Sequence, residues 1–189
     1  GLVSGPRSNP VVSAAAWLLG WRTGTALRGR AVAPYSMVQI FGGSAGAVLA
    51  NAMYDLPAIQ ISASERSSGP VLLAEIVATA GLVAVIFALL RSGRAVLVAA
   101  AVGAYIGAAY WFTSSTSFAN PAVTVGRIFS DTFAGIAPSS VTAFILAQVV
   151  GGGLGVLVVR LLYPTIAGGR EDVTAHIASD PRGSDTREA

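Results

Sequence analysis

The chain of 189 residues contains no cysteine, no lysine and a single histidine, His176. Without cysteine there can be no disulfide framework, thiolate metal site or cysteine nucleophile, and one histidine in a polar stretch cannot form a catalytic or metal-binding cluster. Charge is scarce as well, since charged residues make up 11% of the chain, against about 25% in a typical water-soluble domain. The net charge of +3 is scattered and forms no basic stripe. We therefore expect no metal, no cofactor and no nucleic-acid partner.

The chain is instead rich in long apolar segments, and hydrophobic residues make up 53% of it. A helix needs about 20 mostly apolar residues to cross about 30 Å of hydrocarbon. Four segments are of about this length and apolar on all faces: residues 32–53, 70–90, 95–112 and 140–163. The alternative is four buried helices of a soluble protein, but a chain of this size could hardly enclose them. We therefore expect an all-α membrane protein surrounded by lipid.

Arginines at the ends of these segments predict the orientation of the chain in the membrane. If the four segments cross alternately, seven arginines fall on one side: Arg22, Arg28, Arg30, Arg91, Arg94, Arg160 and Arg170. The other side holds Arg66 and, depending on its loop, Arg127. The positive-inside rule predicts that the arginine-rich side is cytoplasmic. The polar tail at residues 164–189, which we expect to be disordered, falls on that side in a cell membrane.

Two shorter apolar pieces, residues 9–19 and 120–133, are too short to span a bilayer, and each begins with Asn-Pro. Asn is favoured as the residue that caps a helix, and Pro is favoured at the first helical position. Each piece is therefore predicted to be a short helix that starts at an Asn cap. The alternative is that the two Asn-Pro pairs mark ordinary starts of helices after loops, since an Asn-Pro dipeptide alone is weak evidence.

The two short pieces belong to an internal repeat. Each is followed by a span that contains Gln and several Gly, with Gln39 lying 30 residues after Asn9 and Gln148 lying 28 residues after Asn120. Three spans separate the two pieces, and an odd number places them on opposite sides of the membrane. The repeat is therefore predicted to be inverted, an arrangement that places a binding or conduction site near the middle of the bilayer.

Paired Asn-Pro boxes in inverted halves resemble those of the major intrinsic proteins, the aquaporins and glycerol facilitators. The two boxes are Asn9-Pro10-Val11 and Asn120-Pro121-Ala122. The resemblance covers residues 4–163 and implies two re-entrant half-helices. It also implies that the chain supplies four of the six expected transmembrane helices, begins within the first Asn-Pro loop, and is preceded by further sequence. Residues 1–31 would form the first loop and half-helix, and residues 32–163 the remainder of the fold.

The resemblance implies a passive channel for small uncharged solutes such as water, glycerol or a neutral metalloid acid, usually assembled as a homotetramer. The half-helices would meet end to end, with the amide groups of Asn9 and Asn120 offered to passing oxygen atoms. The positive ends of the two helices would oppose the passage of cations. No covalent chemistry is needed, so we expect no enzyme.

Selectivity in this family depends on a narrow filter, and the chain departs from the usual pattern there. Val123 stands where the family usually has Arg, and Ala108 corresponds to the filter position on the fifth helix. With Ser117 as the third member, these residues predict a wider and less polar constriction. Arg7 stands where the first box usually has His, and it would supply a pore-mouth charge or simply extend to water.

Three polar residues inside the apolar spans are candidates for structural support: Gln39, Glu75 and Gln148. Each glutamine would brace a half-helix loop or make a generic interhelical hydrogen bond. The resemblance implies that Glu75 accepts backbone N–H bonds from a re-entrant loop, whereas a proton-relay role would favour an ion-coupled transporter. A truncated member of the family that does not conduct is the remaining alternative.

Overall fold

The computed structural model describes residues 9–20 and 29–163, so Arg7 and the tail at 164–189 lie outside the described residues. The described part consists of helices and connecting segments and has no β-strand. The six α-helices are α1 (Pro10–Gly20), α2 (Gly29–Met53), α3 (Gly69–Arg91), α4 (Val98–Phe112), α5 (Pro121–Gly126) and α6 (Pro138–Leu162). Short 3-10 turns precede α4 at Ala95–Leu97 and follow α5 at Arg127–Phe129.

Four of these helical segments are long and apolar enough to cross a membrane, which confirms the prediction of an all-α membrane protein with four spans. They are Val32–Met53, Gly69–Arg91, Ala95–Phe112 and Pro138–Leu162. Proline in the first turn of α3 and α6 favours helix initiation there. Gly93, at a positive φ of 72°, permits the tight turn between α3 and the next span.

The centre of the fold is the packing of α3 against α6. Glycines of α6 allow the two backbones to approach closely: a Cβ added to Gly151 would lie 2.5 Å from the carbonyl oxygen of Ile76, and one on Gly155 would lie 2.7 Å from that of Ala80. Small residues at such crossings are typical of helix packing in membranes. Around this crossing lies the main apolar cluster, which includes Leu82, Val83, Phe87, Val156 and Val159.

The second short helix ends earlier than the sequence predicts. The expected range was 120–133, but α5 ends at Gly126 and its 3-10 turn ends at Phe129. The carbonyl oxygens of Ile128 and Phe129 accept hydrogen bonds from the backbone N–H groups of Ser62 and Gln60, at 2.9 and 3.3 Å. The loop after α2 therefore takes the carbonyl groups that a longer helix would have used internally.

Candidate functional site between the two Asn-Pro helices

Both short helices begin at an asparagine whose side chain caps the first turn. Asn9 Oδ1 accepts a hydrogen bond from Val11 N at 3.0 Å. Asn120 Oδ1 accepts from Ala122 N at 3.0 Å and from Val123 N at 3.4 Å. The prolines that follow occupy the first helical position, where a missing N–H costs nothing. Both caps thus satisfy backbone N–H groups that have no partner within the helix.

The N-termini of the two short helices meet in the interior of the fold. Asn9 Nδ2 donates a hydrogen bond to the carbonyl oxygen of Ala119 at 2.6 Å, and both residues are buried. Ala119 directly precedes Asn120 in the chain. This contact joins residues 110 positions apart in the sequence and places the two asparagine caps next to each other.

Reciprocal packing holds each short helix against the span of the other repeat. A Cβ added to Gly43 of α2 would lie 2.9 Å from the carbonyl oxygen of Ala122, and one added to Gly152 of α6 would lie 2.4 Å from Cγ1 of Val11. The two glycines occupy equivalent places, each four residues after the glutamine of its span. Val11 and Ala122 are equivalent too, each two residues after its asparagine.

A buried carboxylate holds the loop that leads into α5. Glu75 of α3 accepts hydrogen bonds from Phe118 N at 3.3 Å and from Ala119 N, and a third from Gln148 Nε2 at 2.8 Å. Gln148 Nε2 also donates to Thr124 Oγ1 of α5 at 2.8 Å. Glu75, Gln148 and Thr124 are fully buried. Each donor of the cluster finds an acceptor, whereas Gln148 Oε1 is buried without a hydrogen-bond partner among the described residues.

The loop before α5 has an unusual backbone that orients its carbonyl groups. Thr116, Ser117 and Ala119 have positive φ angles of 59°, 49° and 47°, which cost about 1–3 kcal/mol each for residues other than glycine. In a trans peptide the C=O and N–H groups point in opposite directions. Since the N–H groups of Phe118 and Ala119 point to Glu75, the carbonyl groups of Ser117 and Phe118 point away from it.

Comparison with known proteins identifies the family of the chain. Aquaglyceroporin AqpS of Rhizobium meliloti (strain 1021) is 43% identical over 162 residues, which are 86% of this chain and 67% of AqpS. The chain belongs to the major intrinsic protein family. Major intrinsic proteins are multi-pass membrane channels and not enzymes, in agreement with the four apolar spans. No family model and no solved structure matches the chain.

In this major intrinsic protein an asparagine that sequence reasoning overlooked secures the far end of α5. The side chain of Asn51, in the last turn of α2, donates to the carbonyl oxygens of Phe129 at 2.8 Å and Ala58 at 3.1 Å. It also accepts a hydrogen bond from Ser130 Oγ at 2.7 Å. The available signal was a lone amide at the end of an apolar span, where a buried polar group requires partners.

The loop between α2 and α3 is fixed by two adjacent charged residues. Arg66 donates to three carbonyl oxygens, those of Gly135 at 2.7 Å, Phe133 at 2.6 Å and Ser115 at 3.2 Å. Burial lowers the pKa of Arg66. Hydrogen bonds from the hydroxyl groups of Ser139 and Ser140, both at 2.7 Å, hold the pKa of Glu65 below its usual value.

The residues predicted to form the filter and the structural supports differ in how deeply they are buried. Ser117 is buried, Val123 is partly exposed on α5, and Ala108 lies on the exposed face of α4. Gln148 is fully buried, whereas Gln39 is only partly buried on α2. The structure thus brings the two asparagine boxes together with Glu75 and Gln148 in one cluster, and it places Gln39 and Ala108 on more open surfaces.

Proposed function

We propose that the chain forms a passive membrane pathway for small uncharged solutes, with glycerol and similar polyols as the main substrates. The observation that carries this proposal is the hydrogen bond from Asn9 to Ala119, because it sets the two asparagine caps side by side. The relative that shares 43% identity is named an aquaglyceroporin, which supports the same class of solute.

The pathway we propose runs past the two caps and the carbonyl groups that point away from Glu75. A side-chain amide carries two N–H donors, so one can hold the fold while the other meets a solute oxygen. Asn9 and Asn120 would provide such donors, and the carbonyl groups of Ser117 and Phe118 would accept from the solute. A polyol hydroxyl both donates and accepts, so it exchanges its water partners for these groups without a net loss of hydrogen bonds.

We further infer that α1 and α5 are re-entrant half-helices of an inverted repeat. The reciprocal contacts of Gly43 with Ala122 and of Gly152 with Val11 support this, since a two-fold relation between the repeats would generate such a pair. The N-terminal ends of both helices would then face each other with partial positive charge. Such an arrangement disfavours cations and a relayed proton while passing neutral solutes.

The size of the accepted solute follows from the three filter positions. Val123 and Ala108 have short apolar side chains, and Ser117 is small and polar. A constriction built from them would be wider and less polar than one that contains an arginine. We therefore propose that glycerol passes readily, with water and neutral metalloid acids such as arsenite as further solutes. Arg7 would add a positive charge at the opposite mouth.

For the cellular arrangement we propose a homotetramer in the cell membrane with the C-terminal tail in the cytoplasm. The orientation rests on the arginine-rich ends of the spans and the positive-inside rule. Exposed apolar side chains along α2, among them Val38, Phe41 and Leu49, suit contact with lipid or with neighbouring helices. Neutral solutes and lipid are the partners that this arrangement requires.

The proposal is tested by stopped-flow light scattering on liposomes that contain the purified protein, with glycerol and water gradients compared. Asn120→Asp keeps the oxygen that caps Ala122 and Val123, but it replaces the amide donor by a negative charge. We expect glycerol-driven volume recovery at least about tenfold slower in this variant, equivalent to about 1.4 kcal/mol or more in barrier height. Leu146→Ala, at an exposed apolar position of α6, is the matched control and should conduct normally.

Each outcome of this experiment bears on a stated alternative. Water flux without glycerol flux would retain the channel and reject the wide filter. Flux of neither solute above that of empty liposomes would favour a family member that does not conduct, after arsenite had been tried. An ion-coupled transporter would require Glu75 to titrate during transport, yet its carboxylate is engaged by two backbone N–H groups and Gln148.

A further inference from the structure

Arg127 follows Val123 by four residues, at the point where α5 passes into its 3-10 turn. Residues four apart lie on the same face of a helix, so Arg127 stands one turn beyond the filter position where arginine is missing. Its Nη1 atom is buried without a hydrogen-bond partner in the part of the chain that the structure describes. A buried guanidinium group with an unused donor is costly for the fold, so stability alone does not account for it.

An aromatic ring holds Arg127 in place. Its guanidinium carbon lies 4.1 Å from the centroid of the Phe118 ring, within the range of a cation–π interaction. Phe118 is itself fixed, because it packs edge-to-face against Phe144 with ring centroids 5.0 Å apart. Phe118 lies two residues before Asn120, in the loop whose carbonyl groups point away from Glu75. The ring therefore ties the charge of Arg127 to the loop proposed to line the pathway.

A second guanidinium group strengthens the positive charge at this end of α5. The guanidinium carbon of Arg66 lies 5.0 Å from the centroid of the same Phe118 ring, so the two charges are within about 9 Å of each other and repel. Both charged groups are engaged only with carbonyl oxygens or the ring in the contacts that the structure gives, and none of these is with a carboxylate. Two guanidinium groups thus lie against the Phe118 ring, while the carboxylate of Glu75 accepts a hydrogen bond from the backbone N–H of the same residue.

We propose that Arg127 is the cation barrier of the pathway, displaced by one helical turn from the position that Val123 occupies. This inference rests on the proposed channel function. The displacement allows the constriction at Val123 to stay wide enough for a polyol, while a fixed positive charge beyond it repels cations. Arg66 supports the barrier by its charge, but its N–H groups are occupied by backbone carbonyl groups.

The test measures potassium leak and glycerol flux in the same liposomes. Arg127→Gln removes the charge and keeps a polar side chain, and we expect potassium permeability to rise at least about tenfold while glycerol flux stays within about twofold, because a fixed charge acts on ions and not on neutral solutes. Arg127→Lys keeps the charge and should remain tight to potassium. Adding Val123→Arg to Arg127→Gln returns a charge to the constriction and should abolish the leak while it slows glycerol.

Unchanged potassium permeability in folded Arg127→Gln would overturn the inference. Should that variant fail to reach the membrane, Arg127→Met, which has an unbranched uncharged side chain, takes its place with the same expected leak. The two failures are distinguishable. Absence of glycerol flux in the unsubstituted protein counts against the channel function and against the inference that rests on it. Unchanged potassium permeability in Arg127→Gln that still conducts glycerol counts against the role of Arg127 alone.

Discussion

The two Asn-Pro helices carry the same local sequence signal, yet the fold supports them by different means. Helix α1 is held mainly by apolar packing, since Val11, Val12, Ala15 and Leu19 are buried in the main cluster. Helix α5 has only six residues and is held by polar contacts at both ends. A helix this short is unstable on its own, so its position depends on its surroundings. Duplicated sequence elements can therefore acquire separate structural requirements.

The glutamines of the two spans illustrate the same asymmetry. Gln148 is fully buried and donates to both Glu75 and Thr124, whereas the equivalent Gln39 is only partly buried on α2. The hydroxyl groups at equivalent positions of the two short helices also differ in their hydrogen bonds. Thr124 Oγ1 accepts from Gln148, while the equivalent Ser13 Oγ is buried without a hydrogen-bond partner among the described residues. Among the contacts of the described residues, the network that joins Glu75, Gln148 and Thr124 therefore belongs to the second repeat.

The largest expected effect comes from the carboxylate at the centre of that network. Glu75→Gln replaces one acceptor oxygen by an amide group, which then faces N–H donors of Phe118, Ala119 and Gln148. Each buried donor left without an acceptor costs about 1–3 kcal/mol, so we expect the free energy of unfolding to fall by about 3 kcal/mol. Thermal unfolding in detergent measures this loss, and stopped-flow scattering should show reduced glycerol flux.

Glu65→Gln is the matched control, since Glu65 is an exposed carboxylate that also accepts two side-chain hydrogen bonds. We expect a much smaller shift in the midpoint of unfolding and normal flux. Equal destabilisation by the two substitutions would mean that the buried hydrogen bonds of Glu75 stabilise the fold no more than the exposed ones of Glu65. The contrast between the two repeats would then lose its main support.

An intermediate effect is expected from the hydroxyl groups at equivalent positions of the two short helices. Thr124→Val removes the acceptor of Gln148 and the hydrogen bond from Thr124 Oγ1 to the carbonyl oxygen of Asn120 at 3.0 Å. We expect the free energy of unfolding to fall by about 1–3 kcal/mol. Ser13→Ala removes a buried hydroxyl that has no partner, so it should be neutral or slightly stabilising.

The same thermal measurement applied to both variants decides this prediction. Similar losses in the two would show that Ser13 has a polar partner of comparable strength, such as an internal water molecule. In that case the first repeat would have a polar network of its own. A loss of stability confined to Thr124→Val would sharpen the contrast between the two repeats. Thr124 and Ser13 are equivalent positions, each four residues after the asparagine of its helix, so their side chains would then have unequal roles.

The features that sequence analysis anticipated depend on local signals. The four spans follow from length and hydropathy and are confirmed. The short helices begin at Asn9 and Asn120 because cap and proline preferences act within a few residues. The predicted end of α5 was wrong. The observed end depends on the carbonyl groups of Ile128 and Phe129, which accept hydrogen bonds from the distant loop at residues 58–64. No local pattern contains that information.

The candidate site shows the same division. The supporting role of Glu75 was anticipated from the family resemblance, which implies that its carboxylate accepts backbone N–H bonds from a re-entrant loop. The unequal burial of Gln39 and Gln148 was not recognisable, because the two lie in similar sequences and differ only in tertiary packing. Asn51 was overlooked for the same reason, as its three partners lie in two separate segments. The filter at Ala108, Ser117 and Val123 stays a prediction.

The smallest expected effect concerns the polar contact by which α6 holds the first short helix. Arg160 Nη2 donates to the carbonyl oxygen of Leu18 at 2.9 Å, near the C-terminal end of α1, where a positive charge also complements the helix dipole. This contact is exposed, so Arg160→Ala should lower the free energy of unfolding by about 0.5 kcal/mol. Leu161→Ala, at the exposed neighbouring residue, is the control for the loss of side-chain surface. A loss of about 2 kcal/mol or more would be on the order of that expected from the Thr124 substitution. It would show that α1 also depends on a polar contact. Reliance on apolar packing would then no longer distinguish the first repeat from the second.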